Sequence, residues 1–146
     1  MAMKITIPFG IFQEIVTQAK SEAPRESCGL LGGNEDQVTS CYPLTNRASE
    51  PEKRYFAAPE DLFHAMRRIR AANESLLVIY HSHPHGPAYP SPTDLEMAFY
   101  PEVVYVIIGP TSDPEVRGYL LNGQVVTEVE LEVDGEAVET FRREVY

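Results

Sequence analysis

Residues 81–94 read HSHPHGPAYPSPTD, and their types and spacing suit the binding of a divalent metal. His81 and His83 stand two positions apart, so in extended backbone both rings point to the same side. They follow the apolar run LLVIY, which reads as a central strand, and a rigid strand end fixes ligand geometry before a metal arrives. Asp94 adds an oxygen ligand if the turn after His83 folds back. Two imidazoles, one carboxylate and one water make a tetrahedral catalytic zinc site with one exchangeable position. The stretch has a second reading. SPTD is a good helix start, with Ser91 as N-cap, Pro92 at N1 and Asp94 at N3, and a lone HxH also occurs on surface strand ends. The two readings are compatible, because a cap anchors the very turn that would deliver Asp94.

The elements around this stretch follow from hydrophobic periodicity. KITI (4–7) alternates like a strand, and Pro8 suits the start of a helix with Phe12, Ile15, Val16 and Ala19 on its apolar face. Pro24 ends that pattern. CGLLGG (28–33) is a short apolar strand, and QVTSCYPL (37–44) is its hairpin mate. Residues 46–58 show neither period and read as a long irregular loop, with Tyr55 and Phe56 left open between core packing and ligand contact. A second helix over PEDLFHAMRRIRAAN (59–73) puts Leu62, Ala65, Met66 and Ile69 on one stripe, with acids in its first turn and arginines near its end, as the helix dipole favours. SLLVIY and EVVYVIIG are near-continuous apolar strands, covered on both faces. VRGYLL and VVTEVELEVD follow. In the latter, Val129, Leu131 and Val133 alternate with acidic residues, giving one buried face and a strand edge open to pairing.

The sum is one α/β domain over residues 1–146, with a core at about 5–134 and a frayed tail from Gly135. A chain of 146 residues, 43% hydrophobic, can bury such a core. The formal net charge of -10 argues against nucleic acid and anionic membranes as partners. Two cysteines, Cys28 and Cys41, do not make a disulfide framework, and inside an apolar strand Cys28 reads as core rather than nucleophile. The start MAMKITIPFG lacks the apolar core of a signal peptide and no stretch reaches membrane-spanning length, so a soluble cytoplasmic protein is expected.

HSHP at 81–84, the spacing on to Ser91 and SPTD through Asp94 together resemble the signature of the JAMM (MPN+) metallopeptidases of the Mov34/MPN/PAD-1 superfamily. PRESCGLLGG upstream resembles that family's early motif, in which a glutamate precedes a Cys-Gly-Leu-Leu segment. The likeness runs over roughly residues 5–130, and the short chain with its TNRAS…YF stretch is similar to the bacterial stand-alone branch. The resemblance implies an α/β fold of the cytidine-deaminase-like architecture, with a central mixed, mostly antiparallel sheet against helices. It implies a single catalytic zinc on His81, His83 and Asp94. It makes Glu26, otherwise an unremarked surface acid, the general base for the attacking water, and Ser91 the stabiliser of the carbonyl oxygen as it becomes anionic. The reaction it implies is hydrolysis of a peptide or isopeptide bond after the C-terminal Gly-Gly of a ubiquitin-like protein. A small sulfur carrier of the ThiS or MoaD kind fits a compact enzyme best, with monomer and homodimer both open. The alternative is a non-catalytic MPN scaffold, which the intact set of five residues disfavours.

Other readings of the same residues are weaker. The zinc deaminase pairing of HxE with PCxxC is absent, as are HxHxDH and HExxH. Gly32 and Gly33 are turn glycines, since no phosphate-loop lysine follows. His85, after Pro84 in a turn, and His64, beside the apolar stripe of its helix, are expected at the surface. Ser82, between the two histidines, faces the other side and divides between a supporting hydrogen bond and plain packing.

Overall fold

The computed structural model describes residues 3–138. Strand β1 (Lys4–Ile7) buries Ile5 and Ile7, and Pro8 caps helix α1 (Phe9–Glu22), which buries Phe12, Ile15, Val16 and Ala19 as the spacing predicts. β2 (Cys28–Asn34) and β3 (Gln37–Leu44) form the expected antiparallel hairpin, turning where Glu35 adopts φ 56°. Helix α2 (Pro59–Ala71) starts with proline at N1. β4 (Ser75–Ser82) ends at the two histidines, the short helix α3 (Pro92–Glu96) follows, and β5 (Val104–Gly109) is buried throughout. β6 (Glu115–Asn122), β7 (Val125–Val133) and the two-residue β8 (Glu136–Ala137) complete the chain.

The strands form a mixed, mostly antiparallel sheet in the order β1-β3-β2-β4-β5-β6-β7-β8, with β1 also pairing in parallel with β7. That last pairing closes the sheet on itself. Ile5, Ile7, the four buried residues of α1, Val78, Tyr80, Val104, Val106, Ile108 and the inward residues of β7 make one core on the inner face. On the outer face α2 covers Cys28, Leu30 and Leu44, and the segment after β4 covers Tyr105, Ile107, Tyr119 and Leu121. β4 therefore alternates between two covered faces. Val78 and Tyr80 go inward, while Ile79 goes outward together with His81.

The structure adds detail to three expectations. In α2 only Ala65 and Ile69 are buried, whereas Leu62 and Met66 stay 38% and 40% exposed. Periodicity assigns a residue to a face of the helix, but only the width of the surface beneath decides how much of that face is covered. The open edge expected along 125–134 is also reduced, because Lys4–Ile7 pairs with Glu130–Val133 and Lys4 reaches Glu132 at 3.5 Å. The core continues past residue 134: Asp134 and Gly135 take positive φ (52° and 86°) in a hairpin turn, β8 follows, and Val138 is buried. The remainder of the expected frayed tail lies outside the described residues.

β4 is held on both sides, antiparallel to β2 and parallel to β5, with His81 opposite Cys28 and Ile107. The close fit has one strict requirement. Gly29 of β2 lies under the Tyr80 ring, where an added Cβ would meet the Tyr80 hydroxyl at 2.1 Å. Gly29→Ala should therefore destabilise the protein by about 1–3 kcal/mol, since a buried ring would have to move. Urea denaturation measures this, and an unchanged midpoint would show that Tyr80 steps aside without cost.

Candidate metal centre

The parallel connection from β4 to β5 brings Asp94 back over the end of β4. The His83 N–H donates to the Ile108 carbonyl at 2.8 Å, so the second histidine is still tied to the sheet. Tyr119 donates to the Ala88 carbonyl at 2.5 Å and pins the returning segment. α3 then opens with a complete capping box: the Asp94 N–H donates to Ser91 Oγ, and the Ser91 N–H donates to Asp94 Oδ2 at 2.9 Å. The helix-cap reading and the ligand reading of SPTD thus describe the same turn.

Its product is a tight cluster. His81 Nε2 lies 3.0 Å from His83 Nε2 and 3.2 Å from Asp94 Oδ1, and His83 Nε2 lies 2.9 Å from Asp94 Oδ2. His83 Nδ1 is 2.8 Å from the Pro87 carbonyl, which can only accept, so Nδ1 carries the hydrogen and Nε2 of the neutral ring presents a lone pair. An ionised Asp94 offers only acceptors as well. Such groups converging in a buried place must share protons or a cation, and two nitrogens with one carboxylate oxygen form a donor set that a divalent metal satisfies. Without a metal the charges adjust through protons. Burial drives the His81 imidazole below its ordinary value against the pull of Asp94. Burial also acts downward on His83, but hydrogen bonds to Asp94 and the Pro87 carbonyl outweigh it and raise the ring. For Asp94 burial acts upward, yet the bonds to both imidazoles hold it well below the usual carboxylate range.

Glu26 precedes β2 and is only 5% exposed, and its Oε1 is buried with no hydrogen-bond partner. Burial pushes its pKa up to about 7, with His83 pulling down and Asp94 pushing further up. A carboxylate poised near neutrality beside a metal-binding cluster is suited to carry protons. Ser91 Oγ accepts the capping hydrogen bond with a lone pair, and its own hydrogen is not used by that cap. Ser82 resolves to a supporting role, since its Oγ accepts from the Ser27 N–H at 2.7 Å and ties the residue after Glu26 to β4.

The other candidates fall outside the cluster. His85 is at the surface, 3.4 Å from Glu52, and His64 is exposed beside Phe63. Cys28 and Cys41 are free thiols, both pushed up to about 12 by burial, which leaves Cys28 inert as a nucleophile. Of two further residues at the site, Tyr55 stands open in the sequence between packing and ligand contact, and Asn46 is not singled out. Tyr55 stacks on His81 with ring centroids 4.7 Å apart and 29° between planes. Asn46 is buried beneath the irregular loop. A polar residue at the head of a long stretch without period was the only signal available.

Acceptors arranged for a cation, next to an acid able to trade protons near pH 7, define the chemistry of a metal-assisted hydrolase of the JAMM protease type. Comparison with known proteins is specific: residues 9–121 match the family described as prokaryotic homologs of the JAB domain, and the chain belongs to it. It is 40% identical over 126 residues to a probable TtuB-protein conjugate cleaving protease of Thermus thermophilus, covering 86% of this chain and 82% of that one. It is 35% identical over 129 residues to the CysO-cysteine peptidase of Mycobacterium tuberculosis, covering 85% and 87%. A solution structure from Desulfitobacterium hafniense superposes with a TM-score of 0.81 at 31% identity over 92% of this chain and 96% of that one.

The raised pKa of Glu26 has a sign that can be checked. The folded chain keeps this proton to about pH 7, whereas the unfolded chain loses it near its ordinary 4.5. Ionising Glu26 therefore costs stability progressively between these values, by at most about 3 kcal/mol, and the cost persists above them. Metal-free Glu26→Gln should melt higher than metal-free wild type at pH 8, and the gap should shrink toward pH 5. A pH-independent gap in thermal denaturation would contradict this.

Proposed function

We propose that the protein is a zinc-dependent isopeptidase acting after the C-terminal Gly-Gly of a small ubiquitin-like sulfur carrier of the ThiS or MoaD kind. The observation that carries this reading is the buried Glu26 carboxyl, its Oε1 unpartnered, beside the converging His81, His83 and Asp94. The relatives support the substrate class, since one is named as a probable TtuB-protein conjugate cleaving protease and another as a CysO-cysteine peptidase. A mixed nitrogen and oxygen donor set favours zinc, and zinc held there supplies Lewis acidity toward water and toward an amide carbonyl.

The chain's own residues divide the remaining work. Glu26 takes a proton from the attacking water and passes it to the leaving amine, for which a pKa near 7 is matched. Ser91 donates its hydroxyl hydrogen to the carbonyl oxygen as negative charge develops there. Tyr55 belongs both to the wall of the metal centre and to an apolar groove of about 340 Å³ lined by Phe56, Leu62, Met66, Met97 and Phe99. That groove supplies apolar contact for the carrier and leads its tail toward His81. Free thiols at Cys28 and Cys41 agree with a reducing, cytoplasmic setting, and no helix among the described residues is long and apolar enough to cross a membrane.

Four substitutions test the assignment. Glu26→Gln should keep the fold and the zinc while losing about 10²–10⁴-fold in turnover. Asp94→Asn and His83→Ala should instead lose zinc, as elemental analysis would record. Near-normal turnover by zinc-loaded Glu26→Gln, or stoichiometric zinc in His83→Ala, would overturn the reading. In the groove, Phe99→Ser should raise KM for a Gly-Gly-ended conjugate without altering zinc content, and an unchanged KM would remove the groove from recognition.

A further inference from the structure

Residues 46–58 lack periodic structure, yet one side chain organises them. Asn46 is 4% exposed. Its Nδ2 donates to the carbonyls of Glu26 at 3.0 Å, Arg54 at 3.1 Å and Pro51 at 3.3 Å. Its Oδ1 accepts from the N–H groups of Ala48 at 2.9 Å and Phe56 at 3.0 Å. Two hydrogens shared among three carbonyls, and two lone pairs both filled, use the amide to its limit. An aspartate of the same shape has no hydrogens to give, and a serine has one.

Two of these ties lead to the reactive groups. Glu26 is gripped on both sides of its α-carbon: Asn46 holds its carbonyl, and its N–H donates to the Pro51 carbonyl at 2.7 Å. The Pro51 carbonyl is itself bound by Asn46. The other tie reaches His81 through Tyr55. Asn46 binds the Arg54 carbonyl and the Phe56 N–H, the peptide groups flanking Tyr55, and Tyr55 stacks on His81. His81 Nδ1 is buried and has no hydrogen-bond partner. The hydrogen bond that usually orients a metal-binding imidazole from its far side is thus replaced here by an aromatic face.

We infer that Asn46 is a positioning residue for the hydrolysis: one buried amide sets Glu26 against the His81, His83 and Asp94 cluster and seats Tyr55 on His81. The inference rests on the reading of Glu26 as the base. A purely structural anchor would lower the melting temperature while leaving kcat and KM of the folded molecules unchanged. A positioning residue changes the kinetics of molecules that are folded and metal-loaded.

The test uses the full chain loaded with zinc, which also supports the fold of a weakened variant. Asn46→Asp keeps the shape and the acceptor but turns an oxygen toward three carbonyls, and Asn46→Ser removes most of the bonds without adding charge. Both should retain stoichiometric zinc at saturation, bind it about tenfold more weakly, and be cut by trypsin after Lys53 or Arg54 about tenfold faster. On a Gly-Gly-ended conjugate, kcat should fall about 10–100-fold through Glu26 and KM should rise through Tyr55 and Phe56. Values of kcat and KM within twofold of wild type in either zinc-loaded variant would overturn the inference. If the wild-type protein cleaves no such conjugate, the proposed function fails, and zinc affinity with trypsin sensitivity still decides the role of Asn46. Unchanged values of both would then overturn it.

Discussion

Two imidazole nitrogens and a carboxylate crowd within 3.2 Å of one another at the end of β4, and this conflict governs the arrangement around it. His83 cannot relieve it by turning, because its Nδ1 hydrogen is committed to the Pro87 carbonyl. Asp94 cannot relieve it by leaving, because its capping box with Ser91 holds it at the start of α3. A protein interior tolerates such crowding only where a cation resolves it or protons shift to do so. The opposed pKa directions of His81 and His83 are the second resolution, and a metal provides the first.

Holding that conflict in place takes a stiff frame. β4 supplies it by lying between β2 and β5 with apolar cores on both faces, so neither histidine backbone has freedom to drift. The Ser27–Ser82 hydrogen bond carries the same rigidity across to the residue beside Glu26. The Glu26 carboxyl is consequently kept out of water with its Oε1 unpartnered, and burial holds its proton up to about pH 7. Stability given up at this one carboxylate is the counterpart of its readiness to exchange a proton near neutral pH.

Much of this was legible in the chain, and the part that was not has a common cause. The histidine spacing, the SPTD turn and the alternation of β4 are local patterns, and the structure brings His81, His83 and Asp94 together as those patterns require. The buried face of α1 was likewise readable residue by residue. Leu62 and Met66 share the stripe of Ala65 and Ile69 yet stay exposed, because periodicity names a helix face without saying how wide a surface lies beneath it. The grip of Asn46 on Glu26 and Tyr55 was invisible because it joins backbone groups, which every residue possesses and no sequence pattern marks. Glu26 itself was found only through family likeness, since no local pattern sets one surface acid apart from another.

The pairing of β1 with β7 joins segments near opposite ends of the described chain, with Lys4 opposite Glu130. Contacts so distant in sequence form late in folding, because the entropy of closing the intervening loop must be met before they give any return. The strands that flank the metal centre, β2, β4 and β5, are closer together in sequence and can pair earlier. A chain emerging during synthesis therefore holds all the metal-centre donors before β7 exists to receive β1. Until then the inner face waits for its closure, and α1 has only part of the surface against which it finally packs.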